Sequence, residues 1–156
     1  MAEQWLIDGY NLLRALQSKN PKRVSPTREQ LFALLGEFAS FKKTNILLVL
    51  DGVGEDHELR PYGTKHFEAV FSQKVSADAR IEQYLFQHRE KLQMTIVTDD
   101  RAIADIGRGG GASVLSTSAF SEMLRDCKKE SVEFLQKEKS REHGFHRPFE
   151  DKLKDL

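Results

Sequence analysis

A three-layer α/β/α sandwich around a mostly parallel central sheet is the fold class this sequence predicts, on three observations. Short apolar runs rich in branched residues, such as Ile46-Leu47-Leu48-Val49-Leu50, read as buried parallel strands. Segments of helical periodicity lie between most of them. The resulting order, β-α-α-β-β-α-β-α-β-α, suits crossover units better than hairpins. Finally, Asp8, Asp51 and Asp100 stand at or just past the ends of three runs. Ligands of open α/β sheets bind beyond the carboxyl ends of the strands.

The first strand covers Gln4 to Asp8, and a turn through Gly9 and Tyr10 leads into a short helix from Asn11 to about Gln17. Ser18 to Pro26 is polar, carries Lys19, Lys22 and Arg23, and reads as a loop. Thr27-Arg28-Glu29-Gln30 is a capping box, after which Leu31, Leu34, Leu35 and Phe38 fall at helical spacing. Asn45 to Asp51 is the second strand, and Gly52 to His66 a polar loop. Loops of that length are usually functional or mobile. Phe67 to Phe71 alternates as a third strand. Ser76 can cap a helix running to about Lys91, with Ile81, Tyr84 and Leu85 as its apolar stripe. Gln93 to Thr98 is the fourth strand. A short helix from Arg101 to Ile106 ends in the glycines from Gly107 to Gly111. Ala112 to Leu115 is the last strand, and Ser116-Thr117-Ser118 can cap a helix starting near Ala119. Charge dominates from Cys127 onward. Gly144 and Pro148 give Arg141 to Leu156, with its His143 and His146, the look of a loosely held tail.

A chain of 156 residues, 39% hydrophobic and 31% charged, suits one globular domain. Its formal net charge of zero provides no global field towards nucleic acid or membrane, so a polyanion site must be a local patch. The single cysteine, Cys127, excludes an internal disulfide and a Cys-rich zinc site and fits a reducing cytoplasm. No stretch approaches the roughly 20 apolar residues that span a bilayer. The first strand starts too early to leave room for a signal peptide.

The acids carry the chemistry. Three carboxylates on one sheet edge repel one another unless something positive stands between them, and a divalent metal is the economical explanation. Asp78 and Glu82, four apart at the start of the helix capped by Ser76, face one side and join the set. An acid in a first helical turn also favours the helix dipole, the alternative reading for Asp78. Hard oxygen ligands without a cysteine or a well-spaced histidine pair point to Mg²⁺ or Mn²⁺, and such ions suit phosphodiester hydrolysis. Asn11 either orients water or phosphate or simply caps its helix.

Ile7-Asp8-Gly9-Tyr10-Asn11 resembles the opening motif of the NYN domains, a branch of the PIN-like nuclease superfamily. The resemblance continues through Leu50-Asp51-Gly52, Val70-Phe71-Ser72, Ser76 to Glu82, Val97-Thr98-Asp99-Asp100-Arg101, Gly111-Ala112 and Phe120. It is strongest to the bacterial YacP-like subgroup and places a nuclease domain over residues 1–125, with a charged helix and tail over 126–156. It implies a PIN-like, metal-dependent ribonuclease that cuts RNA internally and leaves a 5′-phosphate. Asp8, Asp51, Asp78 and Asp100 are the implied metal-binding acids, with Asn11 and Glu82 assisting. Asp99 departs from the family, which often has Ser or Asn there. A translating ribosome is an implied partner. Arg101 and Tyr10 are candidate RNA contacts, as are Lys42, Lys43, Arg60, Tyr62, Lys65, His66 and Arg108, each of which reads equally as an ordinary surface or core residue. A module that keeps the pocket but has lost cleavage is the principal rival. A receiver domain needs an acidic pair after its first strand and a two-aspartate phosphatase needs Asp-x-Asp there, but position 10 is Tyr.

Overall fold

The computed structural model describes residues 3–17, 26–87 and 93–154. Among them run strands β1 (Gln4–Asp8), β2 (Asn45–Leu50), β3 (Phe67–Phe71), β4 (Met94–Val97) and β5 (Ser113–Leu115). Every pairing is parallel, and the strand order is β3-β2-β1-β4-β5. The helices are α1 (Gly9–Leu16), α2 (Arg28–Lys42), α3 (Asp56–Leu59), α4 (Ala77–Gln87), α5 (Arg101–Gly109) and α6 (Thr117–Lys154). The expected α/β sandwich is therefore present, with its sheet wholly parallel.

Successive strand residues point to opposite faces. Trp5, Ile7, Ile46, Leu48 and Leu50 pack with Leu12 of α1, Phe38 of α2 and Phe120 of α6. Leu6, Val49 and Ile96 pack on the other face with Ile81 of α4 and Ile103 of α5. From β1 the chain proceeds outward to β2 and β3, whereas from β4 it proceeds to β5 on the far side. The crevice between β1 and β4 is thus the topological switch point, where such folds bind ligands.

Four elements differ from the sequence reading. α1 begins at Gly9, since Asp8 itself is the cap, its carboxylate accepting from the backbone N–H of Asn11. The 52–66 segment holds α3 and a 3₁₀ turn at Arg60–Tyr62, because Leu59 is buried in the core and pins it. α5 extends to Gly109, with Gly107 buried inside it, and α6 starts at Thr117. The expected loose tail is instead a continuation of α6 to Lys154. Glu and Lys are good helix formers and dominate this segment, so the helix runs on through Gly144 and Pro148. Lys19, Lys22 and Arg23, and positions 88–91 at the expected end of α4, lie outside the described residues, as do the side chains of His143 and His146. Among the described residues no helix is long and apolar enough to cross a membrane.

Cys127 is buried against the α2 side of the core, and burial pushes its thiol up, keeping it protonated.

Candidate active site at the carboxyl edge of the sheet

Asp8 is the last residue of β1 and only 6% exposed. Asn11 grips both of its oxygens: the backbone N–H donates to Oδ1 at 3.3 Å and Nδ2 donates to Oδ2 at 3.0 Å. The asparagine is not the cap of α1 but a clamp on the acid that is. Gly9 is required here by space, since a Cβ would stand 2.5 Å from Leu50 Cδ2 and 3.1 Å from the Val49 carbonyl oxygen.

Asp51 follows β2, and its Oδ1 accepts from the backbone N–H of Ala77 at 3.1 Å, tying the strand end to the start of α4. The buried Ser72 supports it, its hydroxyl donating to Asp51 Oδ1 at 3.4 Å. Gly52 allows the turn beyond, at φ 135°. Asp100 follows β4 and caps α5, with Oδ1 accepting from Ile103 N–H at 3.0 Å, while its own N–H donates to Thr98 Oγ1. Ser72 and Thr98 were missed as supports. Their only signal was a hydroxyl just past a strand end.

Asp78 sits in the first turn of α4. Its carboxyl is pushed up to about 6 by burial, by the charge of Asp100 and by that of Asp8. Its Oδ1 is buried and has no hydrogen-bond partner among the described residues. Burial and the Asp51 charge also raise Asp8, against the lowering effect of the Asn11 N–H. Asp51, Asp8, Asp78 and Asp100 therefore form one electrostatically coupled row. Helix N-termini at α1, α4 and α5 offset part of their repulsion, because Asp8 and Asp100 cap helices, Asp78 lies in the first turn of α4 and Asp51 accepts from the first N–H of that helix.

The remaining candidates separate by edge. Tyr10, 37% exposed, follows Asp8 by two residues, and exposed Arg101 follows Asp100 directly, so both stand at the acid edge. Glu82 is exposed one turn beyond Asp78 on α4. Arg60, Tyr62, Lys65 and His66 precede β3 and stand at the opposite edge, roughly 17 Å away along a five-residue strand. Tyr62 packs on Phe32 at 5.2 Å and His66 Nδ1 meets Asn45 Oδ1 at 3.0 Å. Lys42 and Lys43 end α2 at that same far edge, with Lys42 3.4 Å from Glu130.

Asp99 has a different duty from its neighbour. Its Oδ1 accepts from Thr117 N–H at 3.0 Å and its Oδ2 from Thr117 Oγ1 at 2.6 Å, so it anchors the first residue of the long α6, whose expected cap Ser116 accepts from Ala119 N–H at 3.1 Å. Asp99→Ala removes both bonds and is expected to cost about 1–2 kcal/mol, or roughly 2–8 °C in Tm. A thermal melt matching wild type would contradict that role.

The raised carboxyl of Asp78 fixes the sign of a pH effect. Its folded pKa lies above the unfolded value, so its charge destabilises the fold above about pH 6, and the penalty fades as pH falls towards the unfolded value. In EDTA, Asp78→Asn is expected to melt above wild type at pH 7.5, with the gap closing by pH 4. A gap independent of pH would refute the coupling.

A family model, the YacP-like NYN domain, matches residues 5–155. The fold is similar to the crystal structure of Rae1 (YacP) from Bacillus subtilis, with a TM-score of 0.71 at 19% identity over 98% of this chain and 91% of that one. A single-substitution variant of that protein aligns with a TM-score of 0.68 at 22% identity, covering 88% and 84%. No curated protein matches the chain.

Proposed function

Since the chain belongs to the YacP-like NYN domain family, we propose that it is a Mg²⁺- or Mn²⁺-dependent endoribonuclease acting on single-stranded RNA, including mRNA on the ribosome. One observation carries this reading. Asp8 and Asp100, far apart in sequence, both act on the charge of Asp78 beside the switch point, and a buried oxygen of Asp78 is left without a partner among the described residues. A divalent cation suits that oxygen and relieves the mutual repulsion, and hard carboxylate donors suit Mg²⁺ or Mn²⁺. The donor chemistry of these residues suits the ion.

Asp8, Asp51, Asp78 and Asp100 would hold it. When bound, such an ion polarises the scissile phosphate and acidifies a water. The chain's own part is positioning. Asn11 fixes the plane of the Asp8 carboxylate through two hydrogen bonds. The Asp51 bond to Ala77 sets where Asp78 enters the site. Glu82, one turn on, orients water beside the row. Tyr10 and Arg101 flank it and meet the RNA, Arg101 by charge on a phosphate and Tyr10 by stacking on a base. The reaction is assigned to residues 1–125, with the charged segment 126–156 outside it.

A cleavage-deficient RNA- or ribosome-binding module is the second reading. It is favoured by one fact: among the described residues no three acidic, histidine or cysteine side chains converge closely enough to hold an ion unaided. Ions of this kind often take only one or two carboxylates and complete their shell with water and substrate phosphate, which answers the objection. Removing the metal decides between the readings. Incubated with unstructured RNA, the protein is expected to produce internal cuts with 5′-phosphate ends in Mn²⁺ and none in EDTA. Tight RNA binding without cuts in either buffer selects the module.

A further inference from the structure

Phe86 is the most exposed of the described large apolar side chains, at 82%. Asp78, Glu82 and Phe86 fall at i, i+4 spacing on one ridge of α4. About 12 Å of helix therefore separate the ring from the acid row. Ile106 of α5, 42% exposed, lines the same cleft of about 490 Å³, together with Ala79, Glu82, Gln83 and Gln87. α4 and α5 pack against each other, and both begin at the acid edge, α4 with Asp78 in its first turn and α5 capped by Asp100. The cleft thus begins at Ala79 and Glu82, next to and one turn beyond Asp78, and runs away from the acid edge along α4 and α5.

Its chemistry narrows the occupant. None of its lining residues is basic, and Glu82 repels phosphate, so the sugar-phosphate backbone is not what it holds. An aromatic ring and an isoleucine offer an apolar face, while two amides and a carboxylate offer hydrogen bonds at the rim. A flat apolar body with a polar edge is the description of a nucleobase. Gln83 already accepts from Arg80 Nη1 at 3.4 Å, but an apolar partner helix would bury Glu82 and Gln87 against groups that cannot hydrogen-bond them, at a cost.

We infer that the α4–α5 cleft holds the unpaired base of a nucleotide near the scissile phosphate, stacked on Phe86 with its edge towards Gln83 and Gln87. This rests on the RNA-cleavage reading above. The base anchors the strand beside the acids and provides a preference at that one position.

The test is binding of a short fluorescent single-stranded RNA to the full chain in EDTA, read by anisotropy, with an abasic ribose-phosphate strand as control. Phe86→Ala is expected to weaken RNA binding about tenfold, and Phe86→Tyr to stay within about twofold of wild type. Neither should change binding of the abasic strand. With 82% exposure the side chain is not needed for folding, and equal melting temperatures check this. Unchanged RNA binding by Phe86→Ala, or equal weakening on the abasic strand, overturns the assignment. So does a loss of self-association in that variant by sedimentation, which would give the face to a second copy. Wild-type protein that fails to cleave but shows Phe86-dependent binding refutes the nuclease reading and leaves the base site standing.

Discussion

Asp78→Asn is expected to lower RNA cleavage by about a thousandfold or more while raising the melting temperature of the metal-free protein. Loss of one ligand forfeits several kcal/mol of phosphate and water activation. The gain in stability follows from the same geometry, since the substitution removes a charge that Asp100 and Asp8 repel and that burial disfavours. Asparagine preserves the volume and leaves the Asp51 bond to Ala77 untouched. Activity and stability thus move in opposite directions, the signature of residues kept for chemistry at the expense of the fold. Asp8→Asn is expected to lose cleavage equally and to keep α1 capped, because asparagine caps as well as aspartate. Kinetics on one RNA and melts in EDTA check both. Severe unfolding of either variant would mean the acids are structural.

The largest effect on stability is expected elsewhere. Phe120 is fully buried, with its ring 5.3 Å from both Trp5 of β1 and Phe38 of α2. Trp5 and Phe38 also meet edge-on at 5.6 Å, so the three rings join α6, α2 and the sheet. Phe120→Ala leaves a cavity among them and is expected to cost about 3–5 kcal/mol, or roughly 10 °C in Tm. None of these rings reaches the acid edge, and cleavage well below the melting point should persist. A denaturant titration gives the energy. A loss below about 1 kcal/mol would show that the cluster relaxes around the gap.

The strands were legible because buried parallel strands are nearly continuous apolar runs, and Ile46 to Leu50 can be little else. That Asp8, Asp51 and Asp100 share one edge followed from parallel pairing alone. The difference between Asp99 and Asp100 was not legible. Adjacent aspartates look alike until the pairing of β5 with β4 brings Thr117 beside the first of them. Asn11 read ambiguously for a similar reason, since capping and clamping differ only in which partner is the acid. α3 stayed hidden because Leu59 has no apolar residue at helical spacing within its own short turn, and its burial holds that turn. Topology divides the basic candidates. Residues that precede a strand of a parallel sheet, such as Lys43 and Lys65, lie at the edge away from the acids, which residue type cannot reveal. Phe86 gave no signal as a site, because an aromatic on a helix is ordinarily core.

Cleavage of cellular RNA, free and on translating ribosomes, by wild type and Asp8→Asn in Mn²⁺ and in EDTA tests the central claim most directly. Internal cuts are predicted in Mn²⁺ for wild type alone, with mapped ends that define the preferred site. Cuts that survive in EDTA or in Asp8→Asn, or no cuts from folded wild-type protein on either substrate, would contradict it.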